Sequence, residues 1–299
     1  MVGLSNEIAH SSNLGPTSDG TKTREHKWDK RSLVIRGKAK SVCTTNEFDR
    51  CRMLFHDDMT AGDGAKKGTM ENKGRINCGI SAKLMTELNS INIPTHFIEQ
   101  TSPVTQIVHR LDMIPLEFVC RNVVAGSMAE RLGLEEGASI AKLSNNVFPC
   151  LIDVHLKNDE LHDPLISQDI AQALNIVSEK DLNMIVSLTH SINYFLKDYM
   201  KPKNIEVIDF KLEFGHDVEN KIRLGDEITP DSCRFWEIGT GRKMDKDRFR
   251  RNLGLVEETY KELEYTIVGQ ENSENCIRIN ISSNIIFKTL RSISQKFQL

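Results

Sequence analysis

The sequence predicts an α+β fold of two lobes, and three features carry that expectation. Helical stripes with near-3.6-residue spacing occur at Ile76, Ile80, Leu84 and Leu88, and again at Leu182, Ile185, Leu188, Ile192, Phe195 and Tyr199. A third stripe comprises Phe249, Leu253, Val256 and Tyr260 and reads as one helix over residues 245–263. Apolar or alternating runs at 116–124, 207–214 and 222–228 read as strands, the last two joined by the polar turn 216–221. These elements are interspersed without forming a regular βαβ series. The arrangement predicts a smaller N-terminal lobe over 31–112 and a larger one over 113–265.

The ends and the bulk composition frame this core. Residues 1–30 are rich in Ser, Thr, Asn and Gly without a period and read as a flexible extension. Residues 266–299 form a tail of uncertain structure, although 277–281 alternates like a strand. A net charge of −3 with 27% charged residues excludes the basic excess expected of a nucleic-acid coat or a membrane-surface protein. No run approaches the roughly 18 apolar residues that span a bilayer. The seven cysteines include no C-x-x-C pair, which favours reduced thiols in a cytoplasm over a disulfide framework or a zinc site.

Several short segments have chemical potential. In Gly37-Lys38-Ala39-Lys40, residues two apart on a strand share a face, so both ammonium groups would project together. A polyphosphate would relieve their repulsion; open solvent would also do so. In the 209–214 run, Asp209, Lys211 and Glu213 share one face and Phe210, Leu212 and Phe214 the other. Two oxygen ligands and a cation suit a Mg-nucleotide site, and the same pattern describes a half-exposed strand with an i, i+2 ion pair. Gly225-Asp226-Glu227 would bring a further carboxylate near Glu213. On a regular strand, however, Asp226 would share the parity of Ile222 and Leu224, and a bulge at Gly225 is needed to re-aim it.

Arg121 followed by Ala125-Gly126-Ser127 offers a guanidinium, a hydroxyl and backbone N–H groups to a phosphate monoester. Ser127 and Glu130 also fit a capping box. The 62–67 loop lacks Walker spacing and reads as a turn before a charged helix start. His162-Asp163-Pro164 reads as a turn, there being no Ser or Cys nucleophile to pair with it.

In order along the chain these segments resemble the SAICAR synthetase family of the bacterial, single-function type. The matching runs include Gly37-Lys-Ala-Lys40, Ala61-Gly-Asp-Gly-Ala65, Ala125-Gly-Ser127, Lys157-Asn-Asp159, His162-Asp-Pro164, Asp209-Phe-Lys-Leu-Glu-Phe-Gly215, Gly225-Asp-Glu227, Pro230-Asp231 and Met244-Asp-Lys-Asp-Arg-Phe-Arg250. They extend from about residue 33 to 263.

The resemblance implies a fold related to ATP-grasp enzymes and protein kinases, with ATP between two lobes. It implies an ATP-dependent ligase of purine biosynthesis that joins L-aspartate to carboxyaminoimidazole ribonucleotide (CAIR). By the same resemblance Gly37, Lys38, Ala39 and Lys40 cover the ATP phosphates, Met113 lies by adenine and Lys157 near the nucleotide. Glu213 and Asp226 hold Mg²⁺. Arg121, Ser127, Asp231 and Arg234 bind the ribonucleotide, with Asp209, Lys211 and Lys40 as the catalytic set. A small-molecule kinase of the same fold is the alternative. The partners implied are small molecules alone, with no nucleic acid and no membrane, and a homodimer is left open. Cys43 stands where the family has Tyr, and Cys78 where it has Asn.

Overall fold

The computed structural model describes residues 34–62 and 64–269. The extension expected over 1–30 and the strand-like 277–281 lie outside the described residues.

The chain opens with β1 (Val34–Arg36), β2 (Lys40–Thr44) and β3 (Arg50–Phe55), then a hairpin of β4 (Asp58–Ala61) and β5 (Lys66–Thr69). Helix α1 (Lys73–Ser90) follows, and then β6 (Phe97–Ser102) and β7 (Thr105–His109). Strands β1, β2, β3, β7 and β6 form, in that order, an antiparallel sheet, while β4 and β5 pair only with each other. The stripe Ile76, Ile80, Leu84, Leu88 on α1 is buried as its spacing predicts. A second side of the helix is buried as well. There Cys78 joins Cys51, Met53, Phe55 and Val108 in a core of its own against the sheet. The first side packs into the main core with Tyr260, Leu263 and Ile267. A helix buried on two sides has room for a compact Cys where solvent would favour a polar residue.

The second sheet is built from β8 (Asp112–Arg121), β9 (Leu151–Leu156), β10 (Leu165–Ile166), β11 (Ile205–His216), β12 (Ile222–Leu224) and β13 (Cys233–Glu237). Between these strands lie α2 (Gly126–Leu132), α3 (Ile140–Leu143), α4 (Gln168–Ala173) and α5 (Glu179–Met200). The long central pair β8 and β11 runs antiparallel, with Phe210 opposite Cys120 and Leu212 opposite Phe118. These residues, with Leu116 and Phe214, are buried beneath α5, and Phe118 meets Phe214 edge to face with ring centroids 5.8 Å apart. Burying each such side chain contributes about 1.5–3 kcal/mol. Alternation over 117–121 and 209–213 then turns Glu117, Val119, Arg121, Asp209, Lys211 and Glu213 to the opposite face, the floor of a cleft.

Helix α5 begins at Ser178, whose Oγ accepts the Asp181 N–H at 3.1 Å. Its buried line is Leu182, Ile185, Thr189, Ile192, Leu196 and Met200, so Leu188, Phe195 and Tyr199 flank the stripe as half-buried residues. Thr189 is accommodated because its hydroxyl bonds the Ile185 carbonyl at 2.8 Å.

Three local expectations are corrected. The helix expected over 245–263 is two helices, α6 (Asp247–Arg250) and α7 (Val256–Val268). Asn252, Gly254 and Leu255 take left-handed backbone between them, and Leu253 faces solvent. Ser127 does not cap α2: the residue before the helix is Ala125, Ser127 lies inside the first turn, and the Glu136 carboxylate accepts the Gly126 N–H at 3.0 Å. The basic pair Lys66-Lys67 lies in β5, not at a helix start. Lys66 donates to the Phe249 carbonyl and to Asn252 Oδ1 and sits over the Phe249 ring, which ties the β4–β5 hairpin to α6.

Candidate active site

A cleft of about 380 Å³ opens over the polar face of the second sheet. Its floor is Glu117, Val119 and Arg121 from β8, His155 from β9, and Asp209 and Lys211 from β11. Lys38 and the β4–β5 tip (Thr60, Ala61, Gly62, Gly64) line one side. Ser127, Asp231, Ser232, Arg234, Lys246 and Arg250 line the other.

One end of the floor is organised by guanidinium forks. Asp209 is opposite Arg121 on β8 and Arg234 on β13. Its buried carboxylate accepts from Arg121 Nη1 at 3.2 Å and from Arg234 Nη1 at 3.0 and 2.8 Å. Arg121 Nε also bonds Asp153 at 2.8 Å, its Nη2 lies 3.4 Å from Ser127 Oγ, and Arg131 reaches the same Asp153 oxygen at 2.9 Å. Arg234 Nε bonds Asp247 at 2.9 Å. Gly126 is required here: it has φ +51°, and an added Cβ would lie 2.2 Å from Arg234 Nη2.

The other end is organised by ammonium groups. Lys211 Nζ lies 2.6 Å from Glu117 and 3.2 Å from Glu213, while Lys157 Nζ meets the other Glu213 oxygen at 2.5 Å. Lys40 Nζ sits between Asp226 at 2.5 Å and Glu227 at 2.9 Å. Burial alone would lower the affinity of Lys40 and Lys211 for their protons. The surrounding carboxylates, Asp226 and Glu227 for Lys40 and Glu213, Asp226 and Glu117 for Lys211, more than reverse this, and both ammonium groups are held well above the ordinary lysine range. Neither can serve as a base near neutrality.

The parity difficulty at Asp226 is resolved by backbone conformation. Strand β12 ends at Leu224, the Gly225 N–H bonds the Glu213 carbonyl at 2.8 Å, and Asp226 takes φ +56°. The regular alternation stops before Asp226, whose carboxylate turns to Lys40. Lys38 and Lys40 do not form the expected same-face pair. Residues 37–39 form the turn between β1 and β2, closed by the Gly37 N–H to the Lys40 carbonyl at 2.8 Å. Lys38 projects towards Asp159 at 3.6 Å, while Lys40 is half-buried between its two carboxylates.

Comparison with known proteins assigns residues 33–267 to SAICAR synthetase. The chain belongs to the SAICAR synthetase family. The phosphoribosylaminoimidazole-succinocarboxamide synthase of Fusobacterium nucleatum is 43% identical over 235 residues, 79% of this chain and 96% of that one. Its counterpart in Chlorobium limicola is 41% identical over 242 residues, 81% of this chain and 99% of that one. Among solved structures, a SAICAR synthetase (Type-2) in complex with ADP matches with TM-score 0.75 at 41% identity, covering 81% of this chain and 100% of that one. The Ehrlichia chaffeensis enzyme matches with TM-score 0.75 at 34% identity, covering 80% of this chain and 99% of that one. As a SAICAR synthetase the chain is an enzyme, an ATP-dependent carbon–nitrogen ligase with the family's mixed α and β fold.

Of the residues singled out in the sequence, Lys38, Arg121, Ser127, Asp209, Lys211, Asp231 and Arg234 line the cleft. Lys40, Lys157, Glu213 and Asp226 form the connected ammonium–carboxylate cluster at its end. Gly37 and Ala39 lie in the β1–β2 turn. Met113 is the second residue of β8 and is 39% exposed, with its thioether against Gly225. Asp231 is more enclosed than a simple ligand: its carboxylate takes Lys73 at 2.9 Å and the Tyr260 hydroxyl at 2.7 Å.

Glu117, Asp153 and His155 beside the site were not among the residues singled out in the sequence. Glu117 shares the strand parity of Arg121, a signal that was available. Asp153 and His155 alternate with Ile152 and Val154 on β9, a strand too short to stand out. Glu227 was readable beside Asp226 as the alternative carboxylate, and the structure pairs both with Lys40.

Proposed function

We propose that the chain joins L-aspartate to the carboxylate of CAIR, using ATP and releasing ADP and phosphate by way of an acyl phosphate. One observation carries the reading. On a single face of β11, Asp209 is fixed by two arginines, Glu213 by two lysines, and Lys211 stands between them. A phosphate-bearing substrate suits the arginine end and a nucleotide the lysine end, so their reacting groups would meet at Lys211.

In this reading ATP lies in a cleft between a smaller part over 31–112 and a larger one over 113–265, an arrangement related to ATP-grasp enzymes and protein kinases. Gly37, Lys38, Ala39 and Lys40 cover the phosphates, Lys157 joins them and Met113 flanks adenine. Arg121 and Ser127 take the 5′-phosphate of the ribonucleotide, with Asp231 and Arg234 completing its site. Glu213 and Asp226 would hold Mg²⁺, and the donors fit it. Both are carboxylates now balanced by ammonium groups, and magnesium commonly binds through one or two carboxylates with phosphate oxygens and water. When bound, the ion neutralises charge on the transferring phosphoryl group.

The residues then act by position and charge. A carboxylate is a poor acyl donor because oxide would have to leave; phosphorylation supplies a good leaving group. Lys211 and Lys40, held protonated, lower the charge between substrate carboxylate and phosphate without taking a proton. Asp209 keeps both guanidinium forks aligned, so the bound carboxylate is presented in one orientation. The β4–β5 tip and the Lys38 turn flank the cleft where water must be kept from the acyl phosphate. In this reading the enzyme acts in the cytoplasm.

A coupled ADP-release assay with CAIR, with and without aspartate, tests the reading. Release that requires aspartate and accompanies amide formation supports the ligase. ADP released equally without aspartate, with a stable phosphorylated product, would identify a kinase.

A further inference from the structure

On the apolar side of the second sheet, behind Arg121, lies a thiol–imidazole cluster that the proposed chemistry does not use. Cys150 Sγ is 3.4 Å from His190 Nδ1 on α5. Of its neighbours, Cys120 on β8 does most to hold the Cys150 thiol low. The β8–β9 register pairs Cys120 with Ile152 and Arg121 with Leu151. Cys150, two residues before Ile152, is therefore the diagonal same-face neighbour of Cys120.

We propose that Cys150 attacks small hydroperoxides, with Cys120 as its resolving thiol and His190 as its hydrogen-bond partner, to close a disulfide beside Arg121. The Cys150 sulfur attacks one peroxide oxygen, the O–O bond breaks and hydroxide leaves, giving a sulfenic acid. The Cys120 sulfur then attacks that sulfur, the S–O bond breaks, and the hydroxyl leaves as water with the Cys120 proton. The peroxide is reduced and the two thiols are oxidised.

The surroundings favour attack at Cys150 over the other buried thiols. The hydrogen bond from Cys120, then that from His190, holds the Cys150 thiol down to about 5 against the upward push of burial, and Lys197 on α5 adds positive charge. The His190 imidazole is correspondingly raised by Cys150. Cys120 is pushed up, by burial first and then by Cys150 and Asp209, which suits the second thiol of the pair. Burial also raises Cys51, Cys78 and Cys233, and outweighs the downward pull of Arg110, Gln106 and Ser232 on them respectively.

Cys150 is itself 3% exposed and directly follows the exposed run 145–149. Diagonal strand neighbours lie about 7–8 Å apart and disulfides span about 4.4–6.8 Å between Cα atoms. Closing the bond therefore draws residue 150 towards β8 and shifts Leu151 against Arg121.

The test uses the full, reduced chain at pH 6.5, treated with hydrogen peroxide and followed by peptide mass mapping. The expected product is a Cys120–Cys150 linked peptide, formed at least about tenfold faster than oxidation of Cys51, Cys78 or Cys233. Cys120→Ser should leave a dimedone-reactive sulfenic acid at Cys150, and His190→Gln should slow oxidation at Cys150 while leaving the other thiols unchanged. If Cys150 reacts no faster than the other buried thiols, or the linked peptide is absent while Cys150 is over-oxidised, the proposal falls. The mass readout does not depend on turnover, so it stands apart from the ligase assignment.

Discussion

The two ends of the cleft floor solve the same electrostatic problem with different side chains. At the arginine end, Asp209 is gripped by planar forks from Arg121 and Arg234, each anchored to a further carboxylate, Asp153 or Asp247. At the lysine end, Glu213, Asp226, Glu227 and Glu117 are balanced by ammonium groups from three separate segments. Forks fix direction; ammonium groups are point charges on flexible stems that can exchange partners. On the proposed function, the first end would hold a geometry, and the second would admit an ion and a polyphosphate and reorganise around them.

The largest expected effect lies at the rigid end. Asp209→Ala would leave two guanidinium groups without their shared carboxylate. It should cost about 3–5 kcal/mol of stability, read by denaturant unfolding. In the fraction that folds, kcat/KM should fall at least about a hundredfold. At the adaptable end, Glu213→Gln should keep the fold and raise the Mg²⁺ concentration for half-maximal activity by about 10–100-fold. An unaltered Mg²⁺ dependence would remove Glu213 from the metal's ligands.

Next come the single cations. Arg121→Ala should raise KM for the ribonucleotide by about 10–100-fold and that for ATP far less, consistent with one or two charge-assisted bonds. Lys40→Ala should show the reverse split. A Tm unchanged by loss of Lys40 is the natural expectation if its phosphate partner is external. The structure revises this: Asp226 and Glu227 would be left without their shared cation, so Tm should fall as well. Gly126→Ala tests the fork in isolation. It should displace Arg234 and cost about 1–3 kcal/mol, with KM for the ribonucleotide rising alongside.

The smallest effect is in acid. Burial pushes the Asp231 carboxyl up, but Lys246 and Lys73 outweigh it and hold the group at about 2, below its ordinary 3.8. Its folded value is depressed, so its contribution is complete above about pH 4 and is lost as pH falls towards 2. Asp231→Asn should flatten that part of the stability–pH curve.

The polar face of β11 and the stripe of α1 were legible because alternation and helical spacing are local properties of the chain. Asp226 was legible as a residue type but not in direction, since its left-handed backbone depends on the Gly225 N–H reaching the Glu213 carbonyl. Lys38 and Lys40 were read as a pair because a strand was extended through what is a turn. The break between α6 and α7 was hidden by Leu253, whose spacing fits a stripe although it faces solvent. The cap at Gly126 comes from Glu136, ten residues away, which no short-range pattern signals. The resemblance to SAICAR synthetases gathered the candidate residues, but it did not distinguish the fork end from the ammonium end.

The most direct test of the central claim follows one oxygen atom. CAIR carrying heavy oxygen in its carboxylate is turned over with ATP and aspartate, and the released phosphate is examined by mass spectrometry. An acyl phosphate formed beside Lys211 places one carboxylate oxygen between carbon and phosphorus. When the aspartate nitrogen displaces phosphate, that oxygen leaves with it, so label should appear in phosphate in step with the amide. Unlabelled phosphate alongside labelled amide product would contradict the account.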